Sequence, residues 1–296
     1  MNISAQIKYY SKVFLLFSVF TLLLSTIINN LKDVDVFHNT EPAICVPILM
    51  YHQVKNSNLG KDVISPYEFE SDLQYLSDHN YNTITMTQLI DYVYYGETLP
   101  ENPIILTFDD GYMSTYKNVF PLLKKYEAKI VLSIIGKSTD DFSKVVDNHI
   151  NAHLTWEYLN EMQESGLVEI QNHSYNLHKI SNYRYGCCQM SSEPLCDYEQ
   201  ILAADVMELQ DRAQTNLNYT PNTFTYPYGR YNDNTENILK KIGFKATLSI
   251  TFGVNLVSKD SPDTLYGLKR ICRSHNASLD KLLKHGFDTL KYMEKK

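Results

Sequence analysis

Several absences narrow the field before any motif is considered. The chain has no CxxC pair and no Cys–His spacing of the kind a structural zinc site needs, so a zinc-finger scaffold is excluded. No internal repeat and no Pro- or Gly-rich linker divides the body. Positive charge is not in excess: 27 Lys and Arg stand against 34 Asp and Glu, a net charge of −7. Nucleic acid is therefore not an expected partner, because neutralising phosphates needs a basic surface. There is one Trp, Trp156, against 23 Tyr, which are either sugar-stacking platforms or a compositional bias. The five cysteines (Cys45, Cys187, Cys188, Cys196, Cys272) are odd in number, so at least one is unpaired within a monomer. A local disulfide among Cys187, Cys188 and Cys196 and plain thiols both stay open. What is present is an ordinary globular mixture, 44% hydrophobic and 21% charged, in 296 residues, a length that suits one large α/β barrel.

A long apolar run without charge lies at the start, residues 13–28, with Lys8 and Lys12 before it and Asp33 and Asp35 after. As a helix it would span about 24 Å, slightly short of a hydrocarbon core. The charge order places the body outside the membrane. No small-x-small cleavage site follows, so an uncleaved anchor is expected, with a cleaved signal as the alternative. Residues 1–43 thus read as anchor or signal plus linker, and 44–296 as one folded domain.

From about residue 44, short apolar runs alternate with amphipathic stretches, the pattern of a parallel α/β sheet. Strands are expected at 47–51, 82–85, 104–107, 130–135, 168–171, 224–226 and 246–250. Helices are expected at 67–79, 87–95, 115–126, 156–165, 198–216, 235–242 and 279–285, with Leu73 and Leu76 as one core-facing stripe. Residues 136–151 and 178–197 read as irregular.

Four of these strands run straight into polar residues. His52 follows the first, and Asp109, Asp110 and Gly111 follow 104–107. Asn172, His173 and then His178 follow 168–171, and Pro227, Tyr228 and Gly229 follow 224–226. In parallel α/β folds the carboxyl ends of strands form the mouth where ligands bind. His173 and His178 can grip one metal only if 174–177 form a turn. A helix would leave side chains five apart at about 140°, and a strand would send them to opposite faces. Asp109 and Asp110 repel unless a cation or proton neutralises one, so metal on one and proton transfer on the other is a natural division. An Asp-Gly turn that merely ends a strand is the plain alternative.

TFDDG at 107–111, HSYNLH at 173–178 and TYPYG at 225–229, in that order, resemble the first three motifs of the polysaccharide deacetylases, the NodB homology domain of carbohydrate esterase family 4. PILMYH at 47–52 and the five-residue His spacing look closer to the membrane-associated or exported deacetylases of biofilm poly-β-1,6-N-acetylglucosamine. The similarity spans roughly residues 46–275. It implies an irregular (β/α) barrel of about seven strands, with 44–296 as the deacetylase domain. Asp109 would be the general base, Asp110, His173 and His178 the metal ligands, and the Tyr228 amide an oxyanion donor. In that branch His52 stands in for the general acid that other members draw from a late Leu-x-His motif; here KLLKH at 281–285 has the wrong spacing. Where the wider family carries an Arg that orients the catalytic Asp, this chain has Thr225. Arg270 either supplies that cation or sits in a surface salt bridge. Trp156 either lines the sugar groove or packs beneath a helix start.

Two His and one Asp leave open positions on a metal, a catalytic rather than structural set. Mixed N/O ligation suits Zn²⁺, with Co²⁺, Ni²⁺ or Fe²⁺ as alternatives. The expected function is a metal-dependent hydrolase that removes N-acetyl groups from an extracellular N-acetylglucosamine polymer, with poly-β-1,6-N-acetylglucosamine first. The alternatives are an O-acetyl polysaccharide esterase, a peptidoglycan or chitin-oligomer deacetylase, and a non-catalytic carbohydrate-binding surface protein. The partners implied are the polysaccharide and, through 13–28, the membrane.

Overall fold

The computed structural model describes residues 42–145, 147–181 and 184–293, together with Ser18, Phe20 and Thr21. The strands are β1 (Ile44–Val46), β2 (Ile48–Tyr51), β3 (Gln53–Val54), β4 (Val63–Ile64), β5 (Asn82–Thr83) and β6 (Pro103–Asp110). They continue with β7 (Ile130–Ile134), β8 (Val168–Asn172), β9 (Thr223–Thr225), β10 (Ala246–Leu248), β11 (Asn255–Val257) and β12 (Ile271–Cys272). The α-helices are α1 (Pro66–Asp78), α2 (Met86–Tyr95), α3 (Phe120–Tyr126) and α4 (Gly136–Phe142), then α5 (Trp156–Glu164), α6 (Leu195–Leu217), α7 (Asp233–Lys241) and α8 (Leu279–Met293).

One sheet has the order β10-β9-β8-β7-β6-β2-β12, with β5 beside the start of β6, and all its pairings are parallel. The seven-strand path curls into a half-barrel. A single segment bridges its two edges. The Leu268 and Arg270 amides donate to the Thr247 and Thr251 carbonyls on the β10 side, and the Arg273 amide donates to the Met50 carbonyl of β2, each at 2.9 Å.

Parallel sheets bury both faces, and period-2 alternation assigns residues to each. Leu49, Tyr51, Leu106, Phe108 and Leu132 pack with Phe69, Leu73 and Leu76 of α1 and Leu159 of α5. Ile48, Ile105, Val131 and Leu248 take the other face, with Leu89, Ile90 and Val93 of α2. Each such Leu or Ile contributes about 1.5–3 kcal/mol on burial. Capping sets the helix starts. Ser65 with Glu68 opens α1 behind Pro66, and Thr85 with Gln88 opens α2.

Most expected elements are present with shifted ends, and four differ in form or extent. Strand β6 runs on past 107 through Asp110, since Phe108 packs in the core and the carboxylates find partners within the fold. The helix expected at 115–126 begins as one π-turn, Thr115–Val119, before α3. Pro121 lacks an N–H and crowds the carbonyl four residues back, which breaks the helical register ahead of it. The stretch 136–151, expected irregular, contains α4. Its Gly136 abuts Tyr175 and Leu209 so closely that a Cβ would lie 2.7 Å from the Tyr175 ring. Helix α8 continues past 285 to Met293.

No disulfide joins the five cysteines. The chain divides into a unit of residues 1–41 and the body from Pro42. The anchor or signal expected at 13–28 lies outside the described residues, apart from Ser18, Phe20 and Thr21, which are helical. Among the described residues, no helix is long and apolar enough to cross a membrane.

Candidate active site

The site grows from the end of β6. Asp109 shares the parity of Ile105 and Thr107, whereas Asp110 takes a left-handed backbone, φ 74°, followed by Gly111 at the same φ. This break in the strand lets two adjacent carboxylates do different things. Ser174 (φ 71°) and Tyr228 (φ 56°) are left-handed as well. Such non-glycine conformations cost on the order of 1–3 kcal/mol each and persist where surrounding contacts over-determine them.

Asp109 is buried and gripped by Arg270 through both arms, Nη1 to Oδ1 and Nη2 to Oδ2, each 2.8 Å. Arg270 is fully buried; its Nε donates to the Ser249 carbonyl at 2.7 Å and its Nη1 to Thr107 Oγ1 at 3.1 Å. The open alternative of a surface salt bridge is therefore wrong. Thr225 instead turns its hydroxyl to Ser133 at 2.7 Å. Burial alone would raise the Asp109 carboxyl, but Arg270, then His173 and His52, outweigh it and hold it below its ordinary range. Asp109 is thus ionised at neutral pH.

Asp110, His173 and His178 come together, their ligand atoms all within 4.8 Å of one another. Asp110 Oδ1 lies 3.5 Å from His173 Nε2 and 3.3 Å from His178 Nε2. The loop between the two histidines is a bend, as sharing one metal requires. Several groups hold it. Asp205 of α6 accepts from the Tyr175 amide at 2.9 Å and the Asn176 amide at 2.8 Å, and Asn172 Oδ1 accepts from the Ser174 amide at 2.8 Å. On the other side the Gly136 and Lys137 amides donate to the Ser174 and Tyr175 carbonyls. Neither Asp205 nor these amides was legible as part of the site, because they come from helices that carry no motif.

His173 Nδ1 lies 2.8 Å from the Thr225 carbonyl. A carbonyl can only accept, so Nδ1 carries a proton and Nε2 is the ring atom that faces Asp110; burial would lower this imidazole, but Asp110 and Asp109 raise it. Burial, reinforced by His173, pushes His178 down to about 4, so its ring is neutral at neutral pH. The Asp110 carboxyl would be raised by burial, but His173 first, and then His52, hold it well below the ordinary range. Asp110 Oδ1 is buried and accepts no hydrogen bond among the described residues. A carboxylate oxygen without a donor, facing two imidazoles, fits a divalent cation.

His52 stands beside Asp109, its Nε2 4.0 Å from Asp109 Oδ2. The Tyr228 ring lies 4.3 Å from that of His178, and Tyr185 meets Tyr228 edge-on at 5.0 Å. The neighbouring Gly229 has φ 64°, and a Cβ there would sit 2.2 Å from Ile250, so only glycine fits this turn. His52, both aspartates, both histidines and Tyr228 line one cleft of about 380 Å³. A second cleft of about 530 Å³, reaching Tyr185, Arg230 and Phe252, shares His52, Asp62, Tyr228, Gly229 and Ile250 with it. The two form one groove across the strand ends. Trp156 does not line either cleft and is a correction to the groove reading: it is buried in the core, with its indole N–H on Asp140 at 2.8 Å.

The polysaccharide deacetylase family model matches residues 96–247. This chain belongs to the polysaccharide deacetylase family. The match lies between His52 and Arg270, so both fall outside its span. The chain is similar to the poly-β-1,6-N-acetyl-D-glucosamine N-deacetylase of Staphylococcus epidermidis, 28% identical over 258 residues that cover 81% of this chain and 83% of that one. It is 26% identical over 226 residues to the protein of the same name from Escherichia coli, covering 69% of this chain but only 33% of that protein. Among solved structures it resembles IcaB from Ammonifex degensii, at 25% identity and a TM-score of 0.66, covering 83% of this chain and 97% of that one. The deacetylase half-barrel is thus shared over nearly the whole body.

Proposed function

We propose that this deacetylase removes N-acetyl groups from an extracellular N-acetylglucosamine polymer, with poly-β-1,6-N-acetylglucosamine as substrate, and uses a divalent cation held by Asp110, His173 and His178. The observation that carries the reading is the division of the Asp pair, with Asp109 locked on Arg270 and Asp110 turned to two histidines. The names of the relatives in Staphylococcus epidermidis and Escherichia coli support the choice of polymer. Mixed N/O ligation favours Zn²⁺, with Co²⁺, Ni²⁺ or Fe²⁺ compatible. When bound, the cation supplies Lewis acidity, which makes water more acidic and polarises an amide carbonyl.

The side chains divide the proton work. Asp109 is ionised and oriented by Arg270, so it accepts a proton from the attacking water. The Tyr228 amide donates to the carbonyl oxygen as that oxygen gains charge, an interaction worth about 3–4 kcal/mol per donor in such sites. An amine leaves badly as an anion, so it must be protonated as the C–N bond breaks. His52, beside Asp109 and in the same cleft, is the donor. Water and an acetamide thus become acetate and a protonated amine. The groove over the strand ends suits a chain longer than one sugar, with Tyr185 and Tyr228 as stacking surfaces. The body works outside the cell, tethered or released according to the fate of residues 1–43; fractionation of cells expressing the chain tests this placement.

The decisive experiment is acetate release from a β-1,6-linked N-acetylglucosamine oligomer by the Zn²⁺-loaded full chain, with Asp109→Asn as the blank. Release above the blank is expected. Silence on this oligomer together with turnover of peptidoglycan or an O-acetylated polysaccharide would overturn the choice of substrate.

A further inference from the structure

His153 was not among the sequence candidates, and none of the roles above uses it. Its Nδ1 lies 2.9 Å from the backbone carbonyl of Asp110. As that oxygen can only accept, Nδ1 carries the proton. The ring stacks on Tyr112 at 4.8 Å and lies 5.6 Å from Phe142. Around it, residues 152–154 lie along the Asp-Asp-Gly turn as a strap. Tyr112 and His153 form an antiparallel bridge, the Met113 amide donates to the Ala152 carbonyl at 2.7 Å, and the Leu154 amide donates to the Gly111 carbonyl at 2.8 Å.

The peptide plane between Asp110 and Gly111 is held from two sides: the ladder that pairs Asp110 with Ile134 of β7 ties it to the sheet, and the His153 N–H meets its carbonyl oxygen from the strap. Both residues flanking it are left-handed, and only Gly111 adopts that conformation without cost. The orientation of this plane sets the backbone from which the Asp110 carboxylate projects. The His153 N–H is a side-chain donor on its carbonyl, so the bond acts on the carboxylate from behind.

We propose that His153 is a positioning residue for Asp110, its Nδ1–H holding the left-handed turn that aims the carboxylate at His173 and His178. The inference rests on the reading of Asp110, His173 and His178 as a metal site. It assigns His153 to the outer layer of that site, where loss of a supporting partner typically weakens metal binding about 10–100-fold. Two substitutions separate the bond from the packing. His153→Phe keeps a ring against Tyr112 and Phe142 and removes the donor. His153→Asn removes the ring and keeps an N–H donor near the position of Nδ1.

The test is Zn²⁺ affinity of the full chain by chelator competition, with the visible absorption of the Co²⁺ form as a second readout and the melting temperature as a folding control. His153→Phe is expected to bind about 10–100-fold more weakly with an altered Co²⁺ spectrum, and His153→Asn to stay close to the unsubstituted chain. Equal affinity and an unchanged spectrum in His153→Phe would overturn the proposal, as would loss of affinity in His153→Asn equal to that in His153→Phe. If His153→Phe does not fold, His153→Asn alone decides: retained affinity supports the bond and lost affinity sinks it. A failure of the metal reading looks different, because the unsubstituted chain would then bind no Zn²⁺ or bind it regardless of His173→Ala.

Discussion

Two arginines three residues apart each hold a buried aspartate through two arms, yet only one of these pairs faces the cleft. Arg270 meets Asp109 at 2.8 Å through each arm. Arg273 meets Asp72 of α1 through Nε at 2.7 Å and Nη2 at 3.0 Å, with the Tyr51 hydroxyl donating to the same carboxylate at 3.1 Å. Asp72 is sealed by Tyr51, whose ring is itself locked against Phe69 and Phe108. Asp109 instead has His52 and His173 close by and opens on the cleft. The same ion pair is sealed as a rivet at Asp72 and opens on the cleft at Asp109. Its surroundings, not its geometry, decide which.

The comparison breaks most easily at Asp109. Asp109→Asn is expected to lower turnover by about 10²–10⁴-fold, the usual worth of a positioned acid or base, while the protein keeps its metal. His173→Ala should lose both. Metal analysis of the two variants checks the division, and equal metal loss in both would erase it.

Next in size is Asp72→Ala, which strands a buried guanidinium. Breaking such a pair costs about 3–5 kcal/mol, so the melting temperature should fall while turnover per folded molecule is retained. Activity lost ahead of stability would mean that the second pair also serves the chemistry.

The smallest effect concerns Glu68, which ties the same segment to α1. It accepts from His275 Nδ1 at 2.9 Å, the Asn276 amide at 2.8 Å and the Ser65 amide at 2.8 Å. Burial would raise its carboxyl, but these bonds win and bring it to about 2 from an ordinary 4.5. A depressed carboxyl stabilises the fold fully above its unfolded value and loses that contribution as pH falls. Glu68→Gln should therefore lower the melting temperature at pH 7, with the gap to the unsubstituted chain closing between pH 4.5 and 2. A gap that is flat across this window would show that Glu68 acts by packing alone.

Much of the site was legible because its chemistry sits where strands end. Asp109, Asp110, His173 and His178 belong to short motifs, and the five-residue His spacing already demanded the bend that Ser174 provides. Arg270 was harder. It lies 45 positions beyond Thr225, the place where the wider family keeps its cation, and only the curl of the sheet brings it under Asp109. Trp156 was ambiguous for another reason, since a large aromatic at a helix start looks the same in sequence whether it faces sugar or core. His153 and Asp205 were invisible, as their partners are backbone groups of other segments and leave no pattern. The short strands β1, β3, β4, β11 and β12 escaped because two or three residues cannot display a period.

The bridging segment has one more consequence. From Leu268 to Arg273 it is stitched to β10 along one side and to β2 along the other, and it carries both arginines. The joint of the half-barrel and the counter-charge of Asp109 are therefore one piece of chain. If that joint gapes on heating, Arg270 is pulled off Asp109 while the buried middle strands still hold, so the catalytic rate fades before the circular dichroism does. Enzymatic output works like a strain gauge glued across the crack, reading its width long before the beam fails.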